Sequence, residues 1–541
     1  MLNIFIRLYI PMKYSTLFCI LLTSCTALTA CNNQNDESDT STTPATPTNS
    51  YSSFQTKQPY QPQQDISTYH AIPTGFTPVF TELVARHGSR GLSSIKYDLA
   101  LYNLWLKAKE ENALTPLGEK LGADLEAMMK ANILLGYGVE GIRQYGYGNE
   151  SAIGIQEHQG IAKRLLQRLP DLFTHEVQNG KSIQVLSSGV DRAVDSAKFF
   201  THALLQQQPA LTPHILPSSY TRLDGTLTPS ITDGGVNRFL LYFHSLNAES
   251  DLPFITTELQ QQVYDASLSY QDYEENNPDL IQKINQLSAD PKINQVALDV
   301  LTPLFSAEFI QKIGQSNYIF SNSGSYSVTA PNGETVTEKG KGKNNIRNTV
   351  DAAAYLYELY SITGGLKEEL GQTDFSQYMP KSSAAFYAEY ADANDFYSKG
   401  PSFDAGKAYT TNMAQGLKQD LFKQIDAVIH HTQKDVAVLR FSHAEIMIPL
   451  ATSLELNDVM QSLPLNTTYS YKNSAWRGEV ISPMAANLQW DVYQNQQGLT
   501  LVKMLYNEKE TYFKADCNYA RYQSNSYYYD YLKLKQCYNI Q

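Results

Sequence analysis

Arg86-His87-Gly88-Ser89-Arg90 sets one imidazole between two guanidinium groups, directly after an apolar, strand-like run. The arrangement suits attack on phosphorus. A phosphate monoester carries about two negative charges near neutrality, so a nucleophile is repelled unless fixed cations take up charge on the non-bridging oxygens. Arginine's planar fork does this without losing its proton. Alone, the five residues also fit an exposed basic turn with a satisfied histidine, so other parts of the chain must agree.

Two further segments share this local architecture. In Ile183-Gln184-Val185-Leu186-Ser187-Ser188-Gly189-Val190-Asp191-Arg192, a short β-type run ends in small residues and leads into a helical pattern from Ala193 to Phe200. Arg192 is expected in the first turn of that helix. In Val436-Ala437-Val438-Leu439-Arg440-Phe441-Ser442-His443-Ala444-Glu445, a buried-strand pattern again breaks at a small residue before the apolar run Ile446 to Leu450. Strand-to-helix junctions of a parallel sheet lie together at the carboxyl ends of the strands, so segments far apart in sequence can converge.

These segments resemble the histidine acid phosphatases, and within them the multiple inositol-polyphosphate phosphatase (phytase) group. Arg86-His87-Gly88-Ser89-Arg90 is similar to the Arg-His-Gly-x-Arg signature, and Ser188 to Arg192 with Ser196-Ala197 to the second arginine segment. Phe441-Ser442-His443-Ala444-Glu445 decides the subgroup, because most histidine acid phosphatases have His-Asp where the inositol-polyphosphate branch has His-Ala-Glu. Leu114-Thr115-Pro116-Leu117-Gly118 and Met504-Leu505-Tyr506-Asn507-Glu508 are weaker likenesses, and the resemblance runs from about residue 74 to 520. Leu92 stands where many members have proline, which bears on loop shape and not on the chemistry.

The resemblance implies an α/β fold, a three-layer sandwich with a mostly parallel central sheet and an inserted, mainly α-helical cap. It also implies a mechanism that the residue types permit. Neutral His87 attacks phosphorus in line and forms a phosphohistidine, which water then hydrolyses. Arg86, Arg90 and Arg192 hold the equatorial oxygens, His443 donates a further hydrogen bond, and Glu445 protonates the leaving alkoxide of an inositol ring. No metal-ligand cluster stands out in the sequence, and no metal or cofactor is implied. Each residue has a plainer reading: Arg192 as a helix-surface arginine, His443 as a cap, Glu445 as an acid favoured by a helix N-terminus, and Ser89 as a turn residue.

The 541 residues are too many for one ordinary core. Beyond residue 31 the chain carries 40 Lys+Arg against 54 Asp+Glu, a balance of −14. Such acidity excludes nucleic acid as the expected partner and requires that positive charge for a polyanionic substrate be focused in one cleft. A small phosphate ester, above all an inositol polyphosphate, is the expected partner, and a monomer the expected state.

At the N-terminus, Arg7 and Lys13 precede an apolar stretch from Tyr14 to Ala30, and Leu28-Thr29-Ala30-Cys31 resembles a bacterial lipoprotein cleavage box. Leu22-Thr23-Ser24-Cys25 fits the same pattern, but cleavage before Cys31 leaves Cys517 and Cys537 as an even pair. The expectation is a lipid-anchored enzyme of the bacterial envelope, with Cys31 lipidated, Cys517 bonded to Cys537 or else both left as buried free thiols, and, by resemblance to other lipoproteins, the outer membrane favoured because no acid directly follows Cys31. Met12 offers an alternative start, and a cleaved secretory peptide or a membrane anchor are the alternatives to the lipobox.

The domain expectation is a signal peptide and lipobox over 1–31, a disordered tether over 32–67, phosphatase core over 68–206, a helical cap over 207–430, and core plus tail over 431–541. Apolar residues at helical spacing over 257–313 and 348–370 support the cap, and Pro331-Asn332-Gly333 predicts a hairpin within it. Lys339, Lys341, Lys343 and Arg347 form the densest basic run, read either as a solvated loop or as cations reaching the non-reacting phosphates of the substrate. Leu488 to Tyr493 and Leu499 to Tyr506, around Gln497-Gly498, predict an antiparallel hairpin at the sheet edge. Two other functions remain open on sequence: a phosphatase or mutase for small esters such as phosphoglycerate, and a catalytically silent surface-binding lipoprotein.

Overall fold

The computed structural model describes residues 52–142, 144–216, 235–456 and 460–540. Cys31, Cys25 and the start of the expected tether lie outside them. Among the described residues, eight strands form the central sheet. Its parallel part runs Ile215–Leu216, Ser182–Ser187, Asp435–Ser442, Phe76–Arg86. Beyond Phe76–Arg86 the sheet turns antiparallel through Asn487–Asn495, Thr500–Tyr506 and Lys509–Thr511, while Tyr528–Asp530 also pairs with Thr500–Tyr506. The predicted hairpin is therefore present, closed by Gly498 in the left-handed region at φ +81°.

Strand register positions the site. Arg86 lies opposite Ser442, and Phe441 opposite Ser187, so three parallel strands end level with one another. The residues that follow each strand emerge at one edge, as expected for a parallel sheet.

Side-chain alternation then makes three layers. Leu83, Ala85, Ile183, Leu439 and Phe441 pack with apolar residues of the helices Ala152–Arg168, Pro170–Gln178 and Asp191–Gln207. Phe80, Val84, Val438, Leu488 and Trp490 belong to a second core with Gln415–Ile429 and Ala444–Ser453. Tyr270 of the helix Glu258–Asn276 and Phe396 of Lys381–Ser398 join that second core. Residues 52–541 accordingly form one compact unit.

The structure redraws several expected boundaries. Residues 52–67 are not a free tether where they are described: Gln55 and Thr56 are buried, and Tyr60 donates its hydroxyl hydrogen to Glu508. Composition hid this because only a few rings, Tyr60 in the core and Phe54 on Tyr360, join the hydrogen bonds that hold an otherwise polar segment. Ile215–Leu216 is a sheet strand and Gln415–Ile429 a sheet-covering helix, although both fall inside 207–430. Conversely, Tyr97–Glu110 of the expected core packs against Thr349–Ile362 of the insertion. Apolar periodicity says that a helix face is buried, not what buries it. The hairpin around Asn332 pairs Ser325–Thr329 with Thr335–Lys339, and Cys517 is disulfide-bonded to Cys537.

Candidate active site

The loop after Phe76–Arg86 is pinned from two sides. The His87 N–H donates to the Ser442 carbonyl at 2.9 Å, and the Ala485 N–H donates to the His87 carbonyl at 2.9 Å. At Gly88 only glycine fits, since a Cβ there would lie 2.6 Å from both Glu150 Oε1 and the Gly154 carbonyl oxygen. Two buried carboxylates complete the grip. Glu150 accepts the Gly88 N–H at 2.9 Å and the Ser196 hydroxyl, while Glu157 accepts the Ser89 N–H at 2.7 Å and the Ser89 hydroxyl at 2.8 Å. Glu157 also accepts the Tyr60 N–H at 2.7 Å, tying the N-terminal segment to the same loop.

This grip defines the state of His87. Its Nδ1 lies 2.9 Å from the Gly88 carbonyl oxygen, which can only accept, so Nδ1 carries the proton and Nε2 the lone pair. Burial, then the positive charges of Arg192, Arg86 and Arg90, push the imidazole well below its ordinary range. A neutral ring with an unprotonated Nε2 is the form that can attack phosphorus.

Three guanidiniums surround this ring. Arg86 donates from Nη1 to the Thr56 carbonyl and to the Ser482 carbonyl at 2.6 Å, which aims the group through backbone alone. Arg90 donates to the Gly91 carbonyl at 2.7 Å. Arg192 sits in the first turn of Asp191–Gln207. Among the described residues, the Nε of each is buried with no hydrogen-bond partner. Burial and, for Arg90, its two arginine neighbours lower the guanidinium of Arg86 to about 10 and that of Arg90 to about 9. Like charges crowded in a desolvated space are costly unless an anion joins them.

His443 precedes Ala444–Ser453 as its N-cap, with its ring centroid 5.5 Å from that of His87. The Val190 N–H donates to Ser188 Oγ at 3.3 Å, and Ser188 Oγ lies 2.8 Å from His443 Nε2. If the Ser188 hydroxyl donates along this chain, His443 Nδ1 carries a hydrogen; that nitrogen is buried without a partner among the described residues. It is thus available to a phosphoryl oxygen.

Glu445, in the first turn of the same helix, is partly open, with 35% of its side chain exposed. Desolvation would push its carboxyl up, but the Lys399 ammonium foremost holds it well below the ordinary carboxylate range. Lys399 Nζ lies 3.3 Å from Glu445 Oε1 and 3.1 Å from Asp395 Oδ1.

The residues singled out from sequence thus divide into two groups. Arg86, His87, Arg90, Arg192, His443 and Glu445 interact within one cluster. Lys339, Lys341, Lys343 and Arg347 are exposed on the hairpin and the chain after it, and Arg347 pairs with Asp351 at 3.4 Å. That region rests on the helix Tyr97–Glu110: Asn322 donates to the Ile95 carbonyl at 3.0 Å, and a Cβ at Gly340 would meet Leu99. Sequence reasoning missed Glu150, Glu157, Lys399, Asp395 and His244. Glu157 left one trace, an acid within the buried stripe Gly154, Ile161, Leu165 of its helix.

Comparison with known proteins shows the family. The profile of the histidine phosphatase superfamily (branch 2) matches residues 80–507. The chain belongs to that family. A solved Bifidobacterium longum multiple inositol polyphosphate phosphatase, in complex with inositol hexasulfate, is 31% identical, with a TM-score of 0.76 over 90% of this chain and 97% of that one. The phosphate complex of the same enzyme gives 30% identity and a TM-score of 0.77. Human multiple inositol polyphosphate phosphatase 1 is 31% identical over 119 residues, which span 19% of this chain and 24% of that protein. The D. castellii phytase, 11% identical with a TM-score of 0.53, shares the fold. This histidine phosphatase carries its signature residues directly after the strands Phe76–Arg86, Ser182–Ser187 and Asp435–Ser442.

Proposed function

We propose that this histidine phosphatase hydrolyses inositol polyphosphates such as phytate through a phosphohistidine on His87. The observation that carries the reading is the set of three guanidiniums around an imidazole held neutral, with Nε2 bearing the lone pair. His87 Nε2 attacks phosphorus, Arg86, Arg90, Arg192 and His443 take up charge on the non-bridging oxygens, and the bond to the ring oxygen breaks. Glu445 gives that oxygen its proton and afterwards removes one from the attacking water. The B. longum relative, solved with inositol hexasulfate, supports a polyanionic inositol as the occupant.

Lys339, Lys341, Lys343 and Arg347 are proposed to gather the non-reacting phosphates at the rim, a role supported by their exposure and density. Lipid anchoring through Cys31 is likewise proposed, supported by the cleavage-box sequence and the Cys517–Cys537 disulfide of an oxidising compartment.

The test is brief incubation with radiolabelled phytate and a denaturing quench at alkaline pH. An acid-labile, alkali-stable phosphoprotein is expected, and His87→Ala should lack it. A label that persists in His87→Ala, or none in the wild type, overturns the proposal.

A further inference from the structure

Glu445 presents a physical difficulty for any phosphatase in which it is the proton donor. A donor must hold a proton when the leaving oxygen departs, yet Lys399 sits against its carboxylate. Lys399 belongs to a different part of the chain, at the end of Lys381–Ser398, and is itself anchored by Asp395 one turn earlier. The ammonium is shared between the two carboxylates, at 3.1 and 3.3 Å, and its side chain is 16% exposed beside the half-open Glu445. It is a cation within reach of an entering anion but committed elsewhere until one arrives.

We propose that Lys399 is a positioning residue that couples binding of a neighbouring substrate phosphate to the proton on Glu445. An inositol polyphosphate brings a second phosphate next to the one being cleaved. That phosphate competes with Glu445 for the Lys399 ammonium. Once the ammonium turns to it, Glu445 loses its ion pair, faces added negative charge and takes a proton from solvent. The cycle then balances. As the Nε2–P bond of His87 forms, the P–O bond to the ring breaks, its electron pair stays on oxygen, and that oxygen takes the Glu445 proton. Water attacks the phosphohistidine, Glu445 accepts its proton, the electron pair of the P–N bond returns to Nε2, and phosphate leaves. Glu445 ends protonated, and when the product leaves and Lys399 returns to it, that proton passes back to solvent.

The other groups facing Glu445 do not substitute for Lys399. Burial lowers His244 to about 4 and pushes His443 well down, so both rings are neutral at working pH. Arg86, Arg90 and Arg192 are the cations of the cleavage centre itself. On the helix Glu258–Asn276, Glu274 is pushed up to about 7 by burial, and Tyr270 well above its ordinary range, so neither adds a cation. Asp395 opposes Lys399 and keeps it from binding Glu445 alone.

The inference rests on the proposed proton-donor role, and the experiment separates the two. The dependence of kcat/KM on pH is measured for phytate, an inositol monophosphate and p-nitrophenyl phosphate with wild type, Lys399→Met and Lys399→Arg. In the free enzyme, loss of the cation raises the Glu445 carboxyl, so the alkaline limb for the two inositol esters should move up by roughly one pH unit in Lys399→Met. Lys399→Arg should leave the limb in place. The preference for phytate over p-nitrophenyl phosphate should fall about fivefold or more in the Met variant, since the coupled subsite is gone. Asp395→Asn, which keeps the cation and loosens its anchor, should tighten the pair with Glu445 and move the limb down. An unmoved limb in Lys399→Met, or equal loss on all three substrates, overturns the coupling. A wild type that fails to turn over phytate at all instead overturns the proposed function.

Discussion

The floor and the wall of the site are built by opposite means. The floor, Arg86 to Arg90, is the end of a strand in the middle of the sheet, with His87 only 2% exposed and each turn of the loop held by backbone or a buried carboxylate. The wall, Glu445 with Lys399 and Asp395, combines the first turn of one helix with the end of another from the insertion, and is held by ion pairs near solvent. The nucleophile needs one geometry and one protonation state throughout. The acid must change its protonation state twice per turnover, which a rigid buried environment would oppose. The difference teaches that this fold keeps its fixed chemistry on the sheet and its adjustable chemistry on helices.

The contrast is open to attack at three points. The largest effect is expected at the floor. Arg90→Met removes one preorganised donor to the phosphoryl group and should lower kcat/KM roughly a hundredfold to a thousandfold on phytate and on p-nitrophenyl phosphate alike. A loss confined to phytate would move Arg90 out of the floor.

At the wall the effect should depend on the leaving group. Glu445→Gln keeps the shape and removes the exchangeable proton, so kcat on phytate should fall on the order of a hundredfold. p-Nitrophenolate leaves without assistance, and its ester should lose less than about tenfold. Equal losses in steady-state assays would assign Glu445 a binding role.

The smallest effect concerns what supports the wall. Asp392, on the same helix as Asp395, is fully buried and accepts hydrogen bonds from the Tyr471 hydroxyl at 2.7 Å and the Gly478 N–H at 3.0 Å. Burial pushes its carboxyl up to about 8. A raised folded value means that the native state keeps the proton the unfolded chain releases, so the stability contribution is complete in acid and is lost as pH rises toward 8. Asp392→Asn fixes the neutral form. It should leave the Tm at pH 5 nearly unchanged and raise it at pH 8 by roughly 2–4 °C, measured by thermal melts. A lower Tm at pH 8 would mean that the carboxylate is ionised in the fold.

Much of the floor was legible in one dimension because its chemistry is contiguous. Arg86, His87 and Arg90 are set within five residues, and the apolar run before them marks the strand that carries them. Ser188 to Arg192 and His443 to Glu445 follow strands of the same kind, and a parallel sheet brings such junctions together. The supports of the floor were not legible. Glu150 and Glu157 act by accepting backbone N–H groups of Gly88 and Ser89, a function any acid at any position could serve if the fold delivers it. Nor was the segment 52–67 legible, since a mostly polar run reads as tether until partners such as Glu157 and Glu508 fix it and its few rings, Tyr60 among them, reach the core.

What the sequence determined by itself is the reacting group, its surrounding cations and the α/β frame that ends its strands together, because strand patterns and side-chain chemistry are local properties. What only the tertiary structure decided is the electrostatic state of those groups: a neutral His87, an ionised Glu445, and Lys399 placed between two carboxylates. The physical reason is that a charge responds to every neighbour within a few ångströms and to the loss of water around it, and neither neighbours nor water can be read from order along the chain.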